Sequence, residues 1–114
     1  ISLRLVGIER LRNNKTYKLS GGEKKLAAIA TILSMKPDII IMDEPSIALD
    51  PRNRKNLIKV LTGIGGLKII ASHDLDFVRN TCERTILLDE GTIVADGRTE
   101  DVLGDEKLLE EHGL

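Results

Sequence analysis

Asp43 and Glu44 stand side by side after the apolar run Ile39-Ile40-Ile41-Met42, and His73 follows a second such run, "LKIIAS". Adjacent carboxylates at a strand end have two separate uses in phosphoryl transfer: one can hold Mg²⁺, usually through water, and the next can aim a water at the γ-phosphate. A purely local reading is also open, with Asp43 a solvated strand end and Glu44 capping the turn before Pro45. His73 can carry a proton or donate to an anion, and it can equally be a polar residue satisfied at a strand terminus. Asp50 precedes Pro51, the pattern of an ordinary helix cap, and capping and function both remain open for it.

A second constellation is "KLSGGEKK". Ser20 with Glu23 three positions later forms a capping box, the Ser oxygen taking one orphan N–H while the Glu reaches back. Gly21 and Gly22 then occupy the first turn, where each costs up to about 0.8–1.0 kcal/mol against Ala, somewhat less near a helix end. A helix N-terminus stripped of side chains is a surface that a phosphate can approach closely. Capping and phosphate binding are both compatible with these residues.

The elements that position these groups follow from apolar spacing. Leu26, Ile29, Ile32 and Leu33 with intervening Ala predict a helix over 22–35 with one buried face. "KPD" ends it, and "IIIM" reads as a strand covered on both faces. Asp50-Pro51 opens a helix to about Leu61, with Gly63 just beyond its end. "LKIIAS" is a second buried strand, and a short helix starts near Asp74. Strand, helix, strand in this order predicts a parallel βαβ unit with a right-handed crossover. "RTILLDEGTIVADG" alternates around "DEG" and predicts a β-hairpin. An amphipathic helix or a pair of turns follows over 99–111, and residues 1–18 read as short helical patches between polar breaks. In an open parallel sheet ligands bind beyond the carboxyl ends of the strands, which is where Asp43, Glu44 and His73 fall.

The chain has 114 residues, which fits one domain with a modest core, and 41% hydrophobic with 31% charged residues is ordinary for a soluble globular protein. Net charge is −1 with Lys and Arg scattered, so the electrostatic footprint of a nucleic-acid binder is missing. The cluster Arg52, Arg54, Lys55, Lys59 reads as a solvated helix face, and Tyr17 and Phe77 leave little on which to stack bases. Cys82 is alone, which excludes a disulfide framework and suits a reducing, cytoplasmic setting. "IIIM" is far too short to cross a bilayer, so a membrane link would run through a partner. The chain opens at Ile1 without an initiator Met and ends in a helical pattern, so it is expected to be an excised piece.

Taken in order, "LSGGE", "IIIMDEP", "SIALDP" and "IIASHD" resemble the second half of an ATPase domain of the ATP-binding cassette family. Leu19 to Glu23 are similar to the family signature, Ile39 to Asp43 to its Walker B strand, Glu44 to its catalytic carboxylate, Ser46 to Asp50 to its D-loop, and His73 to its switch histidine. The hairpin extends the resemblance to about residue 97. No stretch fits G-x-x-x-x-G-K-[ST] and there is no glutamine, so the P-loop and the Q-loop are absent from this sequence. Leu26 stands where the family often has Arg, a tolerable variant.

The resemblance implies a P-loop NTPase-like α/β fold lacking its Walker A half, with residues 1–36 the end of a helical subdomain and 37–114 the Walker B to C-terminal part. It implies two domains facing head to tail, the signature of each closing over ATP held by the other. Ser20, Gly21, Gly22 and Glu23 would meet the nucleotide in trans, Asp43 would hold Mg²⁺, Glu44 would polarise the attacking water and His73 would contact the γ-phosphate. Ser46 and Asp50 would lie at the contact between domains. The implied partners are a second nucleotide-binding domain and a transmembrane transporter subunit, on the cytoplasmic side of the membrane. Within the transporter group the sequence resembles importer ATPases of the cobalt, nickel and vitamin class. The isolated chain is expected to be inactive. Alternatives are a chromosome-maintenance or DNA-repair ATPase of the same superfamily, another soluble member, or a non-enzymatic half-domain that pairs with other cassettes.

Overall fold

In the computed structural model, which describes residues 21–114, the chain divides into two compact units, one ending at Ala71 and one spanning Ser72–Leu114. The readings made for residues 1–18, Leu19 and Ser20 lie outside the described residues.

In the first unit, helix α1 (Gly21–Ser34) buries Gly22, Leu26, Ile29, Ala30 and Leu33. This i, i+3, i+4, i+7 stripe faces the core. Ile32 was expected on it and instead is 43% exposed, because at 100° per residue it falls a quarter-turn or more from the line through Leu26, Ala30 and Leu33. Strand β1 (Ile39–Asp43) pairs in parallel with β2 (Leu67–Ala71), Ile39 opposite Leu67 and Asp43 opposite Ala71. Between them runs helix α2 (Pro51–Gly63), which buries Asn53, Leu57, Val60 and Leu61. Its start is as the sequence predicts: the Asn53 N–H donates to Asp50 Oδ1 at 2.7 Å, and Pro51 occupies the first turn. Gly63 is its last residue rather than the one beyond it, and Ile64 returns to extended backbone. Arg52, Lys55 and Lys59 are exposed along it, and Arg54 is half-buried.

The strand pair departs from expectation in one respect. "IIIM" was read as covered on both faces, yet Ile40 and Met42 are buried while Ile39 and Ile41 are 57% and 74% exposed. The same correction holds for "LKIIAS", read as a second buried strand: Leu67 and Ile69, the partners of Ile39 and Ile41, are exposed on the same side, and Lys68 and Ile70 are only half-buried. Alternation of side chains along a strand produces this split, and a run with no polar residue hides it from the sequence. The chain enters β2 through Gly66, whose φ is +86° and where a Cβ would stand 2.7 Å from the Asp38 carbonyl oxygen. The neighbouring Leu67 N–H donates to that same oxygen at 2.9 Å, so glycine is needed here on two counts.

In the second unit, Asp74 caps helix α3 (Leu75–Thr81) by accepting from the Phe77 N–H at 3.1 Å. Strands β3 (Arg84–Asp89) and β4 (Thr92–Arg98) form the predicted antiparallel hairpin, with an irregularity at Leu87/Leu88. Its turn residues Glu90 and Gly91 have φ of +49° and +75°, the signs of a type I′ turn. Arg84 donates to both carboxylate oxygens of Asp96 across the ladder at 2.9 and 2.7 Å. That paired hydrogen bond, ahead of charge attraction, holds the Asp96 carboxyl below the usual range. The final segment is two helices, α4 (Thr99–Gly104) and α5 (Glu106–Glu111), because Asp105 leaves helical geometry and caps the second through the Leu108 N–H. Val78, Leu87, Val102, Leu103 and Leu109 form this unit's core, and His112 Nδ1 lies 2.5 Å from Asp89 Oδ2.

The unit boundary after Ala71 is drawn by packing, whereas the division at residue 36 was drawn by motifs. Helix α1 contacts α2 and therefore stays with the first unit. Among the described residues no helix is long and apolar enough to cross a membrane.

Candidate functional site

The last residue of β1 is Asp43, whose carboxylate is exposed at the strand end. The ladder carries on for one more bond, from the Glu44 N–H to the Ala71 carbonyl at 2.7 Å. Glu44 then turns the chain with a φ of +49°, a left-handed conformation unusual for a non-glycine residue and a sign of local constraint. Its side chain is half-buried, with Oε2 shielded from solvent.

The loop from Glu44 to Leu49 is held from within and from α1. The Glu44 carbonyl accepts from the Ile47 N–H at 3.4 Å, and the Ser46 carbonyl from the Leu49 N–H at 3.4 Å. Both bonds are long for backbone N–H donors. The Lys25 ammonium of α1 also donates to the Glu44 carbonyl, and to the Ile47 carbonyl at 3.2 Å. Ala48 is left-handed too, with φ of +67°. Ser46 is buried, and Asp50 closes the loop as the cap of α2.

The paired glycines separate in role. A Cβ on Gly22 would stand 2.6 Å from the Ala48 carbonyl oxygen, whereas around Gly21 nothing lies within 4 Å. Gly22 is buried and Gly21 exposed. The sequence reading gave both glycines to an incoming phosphate. Gly22 has an internal reason to be glycine, the close approach of the loop backbone, and Gly21 alone presents open space. Glu23 is half-buried beside them, and Ser20 lies outside the described residues.

Thus the first unit brings Gly21, Gly22, Asp43, Glu44, Ser46 and Asp50 into one loop-and-helix-start assembly. His73 belongs to the second unit, exposed between Ser72, whose Oγ accepts from the Asp74 N–H at 3.0 Å, and the start of α3. Among the described residues no group of three or more His, Cys, Asp or Glu could cage a metal. Mg²⁺ does not require one, since it binds through one or two carboxylates together with waters and substrate phosphates. The exposed carboxylate of Asp43 fits that limited demand.

Lys25 is the residue that sequence reasoning passed over. Its only signal is position: three residues after Gly22, it shares that residue's helix face.

A parallel strand pair ending in adjacent carboxylates, followed by a capped helix and faced by a glycine-initiated one, is an arrangement of the parallel α/β class. Within it, the family model described as ABC transporter matches residues 2–47. A protein of Gloeobacter violaceus named an ABC transporter ATP-binding protein is 48% identical over 115 residues, spanning 99% of this chain and 47% of its own length. The energy-coupling factor transporter ATP-binding protein EcfA of Methanothermobacter thermautotrophicus is 37% identical, over 99% of this chain and 37% of its own. The dimeric structure of a bacterial ABC transporter cassette, MJ0796, superposes with a TM-score of 0.77 at 30% identity, covering 86% of this chain and 44% of that one. The chain belongs to the ATP-binding cassette ATPase family. It spans about half the length, or less, of these relatives.

Proposed function

We propose that the whole protein is the ATP-hydrolysing subunit of a membrane transporter, with ATP held between two such domains. Glu44 would orient and polarise the attacking water, Asp43 would help to hold Mg²⁺, and His73 would contact the γ-phosphate. Bound Mg²⁺ supplies charge neutralisation for the phosphates. Gly21 offers the open helix start to nucleotide carried by the partner domain, where free N–H groups and the positive end of the dipole favour an anion. Ser20 and Glu23 complete that surface. Ser46 and Asp50 lie at the contact between domains. The importer reading, with attachment to the inner face of the membrane through a transmembrane subunit, is part of this proposal; the similarity to an energy-coupling factor transporter ATP-binding protein supports the transporter class, and the dimeric cassette supports a paired arrangement.

The observation that carries this reading is Glu44 itself. Its backbone is held in the left-handed region by the sheet on one side and by a lysine on the other, with no two-residue hairpin to impose that conformation. Positioning and electrostatics dominate phosphoryl transfer, so a carboxylate held this firmly suits the task. The test is Glu44→Gln in the intact protein. Steady-state ATP turnover should fall by at least about 100-fold, as for loss of a group that handles the nucleophile's proton, while ATP-dependent dimerisation persists. Unchanged turnover would remove Glu44 from the chemistry.

A further inference from the structure

We infer that Lys25 is a positioning residue for hydrolysis, one that sets the backbone of Glu44 and ties it to the start of the glycine-initiated helix. This rests on the reading of Glu44 as the hydrolytic carboxylate. Lys25 Nζ donates to two carbonyls of one loop, those of Glu44 and Ile47. The loop's own closure across the same span, Ile47 N–H to Glu44 carbonyl, is 3.4 Å long. A charged donor on both oxygens is the stronger tie. Three residues earlier on the same helix face, Gly22 admits the Ala48 carbonyl into a space that any Cβ would fill. The first turns of α1 therefore grip the loop at Glu44, Ile47 and Ala48, and two of those three residues are left-handed.

The consequence is a mechanical link inside one domain. Gly21, at the open end of α1, and Glu44, at the end of β1, belong to one docked assembly rather than to two independent motifs. A ligand that draws on the helix start shifts the ammonium, and the ammonium carries the Glu44 carbonyl with it. Loss of that donor weakens the hold on Glu44 at φ of +49°, and relaxation towards the right-handed or extended basins then swings its carboxylate off line.

The experiment is a comparison of Lys25→Met and Lys25→Arg in the intact protein, with Glu44→Gln alongside. Met keeps the apolar stem and removes the donors, and Arg restores charged donors. For Lys25→Met, kcat per folded molecule should fall on the order of ten- to a hundredfold, the cost of a small misplacement, with KM for ATP changed less than about twofold. Lys25→Arg should recover most of kcat. A kcat for Lys25→Met equal to the parent's, or a deficit that disappears once corrected for the folded fraction, overturns the inference. So does a loss that Lys25→Arg leaves unrepaired. Should Glu44→Gln itself retain full turnover, the underlying reading of Glu44 fails, an outcome distinct from a normal Lys25→Met beside an inactive Glu44→Gln.

Discussion

Among the described residues, Lys36 follows α1 with φ of +49°, and two further places, the hairpin tip and the loop after β1, hold non-glycine residues in the left-handed region for different reasons. At the hairpin tip, Glu90 and Gly91 take φ of +49° and +75° because a two-residue connection between twisted antiparallel strands demands positive φ at both positions. The tip is exposed, and the ladder that imposes its shape is fastened by the Arg84–Asp96 pair further along the hairpin. After β1, Glu44 and Ala48 are left-handed without any such hairpin. Their conformations are kept by the Ala71 carbonyl, the Lys25 ammonium and the close approach of Gly22. One strain is the geometry of a turn type, and the other is assembled from three elements around a carboxylate. Only the second kind points to chemistry.

The contrast can be broken most forcefully at the glycines. Gly22→Ala should cost about 1–3 kcal/mol of unfolding free energy, the usual effect of overpacking, because its Cβ meets a carbonyl oxygen at 2.6 Å. Gly21→Ala, with open space around it, should be neutral or stabilising by up to about 1 kcal/mol. Equal effects in denaturant titrations would mean that the helix start does not grip the loop. The pair also directs where a nucleotide-facing role is tested: a side chain at Gly22 disturbs the fold first, and one at Gly21 reads the ligand alone.

A smaller effect of opposite sign is expected at the hairpin. Glu90→Asn substitutes a residue that tolerates positive φ, so it should raise stability by up to about 1 kcal/mol and leave ATP turnover unchanged. A loss of turnover would show that the tip is not the passive turn described above. The smallest effect belongs to Asp96. Its folded carboxyl titrates lower than when unfolded, so its contribution is present above the ordinary aspartate range and is lost as the pH falls through the depressed value. Asp96→Asn should accordingly be slightly less stable than the parent at neutral pH, with the gap closing in acid. Because the pair is exposed the gap should be small and should shrink with added salt.

Much of this was legible in the residues. Leu26, Ile29 and Leu33 define α1 by spacing, Asp50-Pro51 announces α2, and "DEG" between alternating runs announces the hairpin. These signals are local. What escaped depends on residues distant in the chain. Gly22 is glycine because of Ala48, and Lys25 matters because of Glu44 and Ile47. The exposed row of Ile39 and Ile41 was hidden for another reason, since an unbroken apolar run carries no period. The left-handed backbone of Glu44 left no trace either, because nothing in "MDEPS" distinguishes it from a capped turn.

The hydrogen bond from the Glu44 N–H to the Ala71 carbonyl ties the placement of Glu44, and with it the hydrolytic role proposed above, to the β1–β2 register. A slip of one residue between these strands would keep most of their backbone bonds but invert every side chain from Ile39 to Asp43. It would also carry Glu44 past the end of its partner strand. A chain misfolded in this way would retain much of its secondary structure while the carboxylate proposed for hydrolysis stood out of place. Specific activity would then count the molecules whose sheet has closed in the right frame, and the chemistry would serve as the proofreader of the fold.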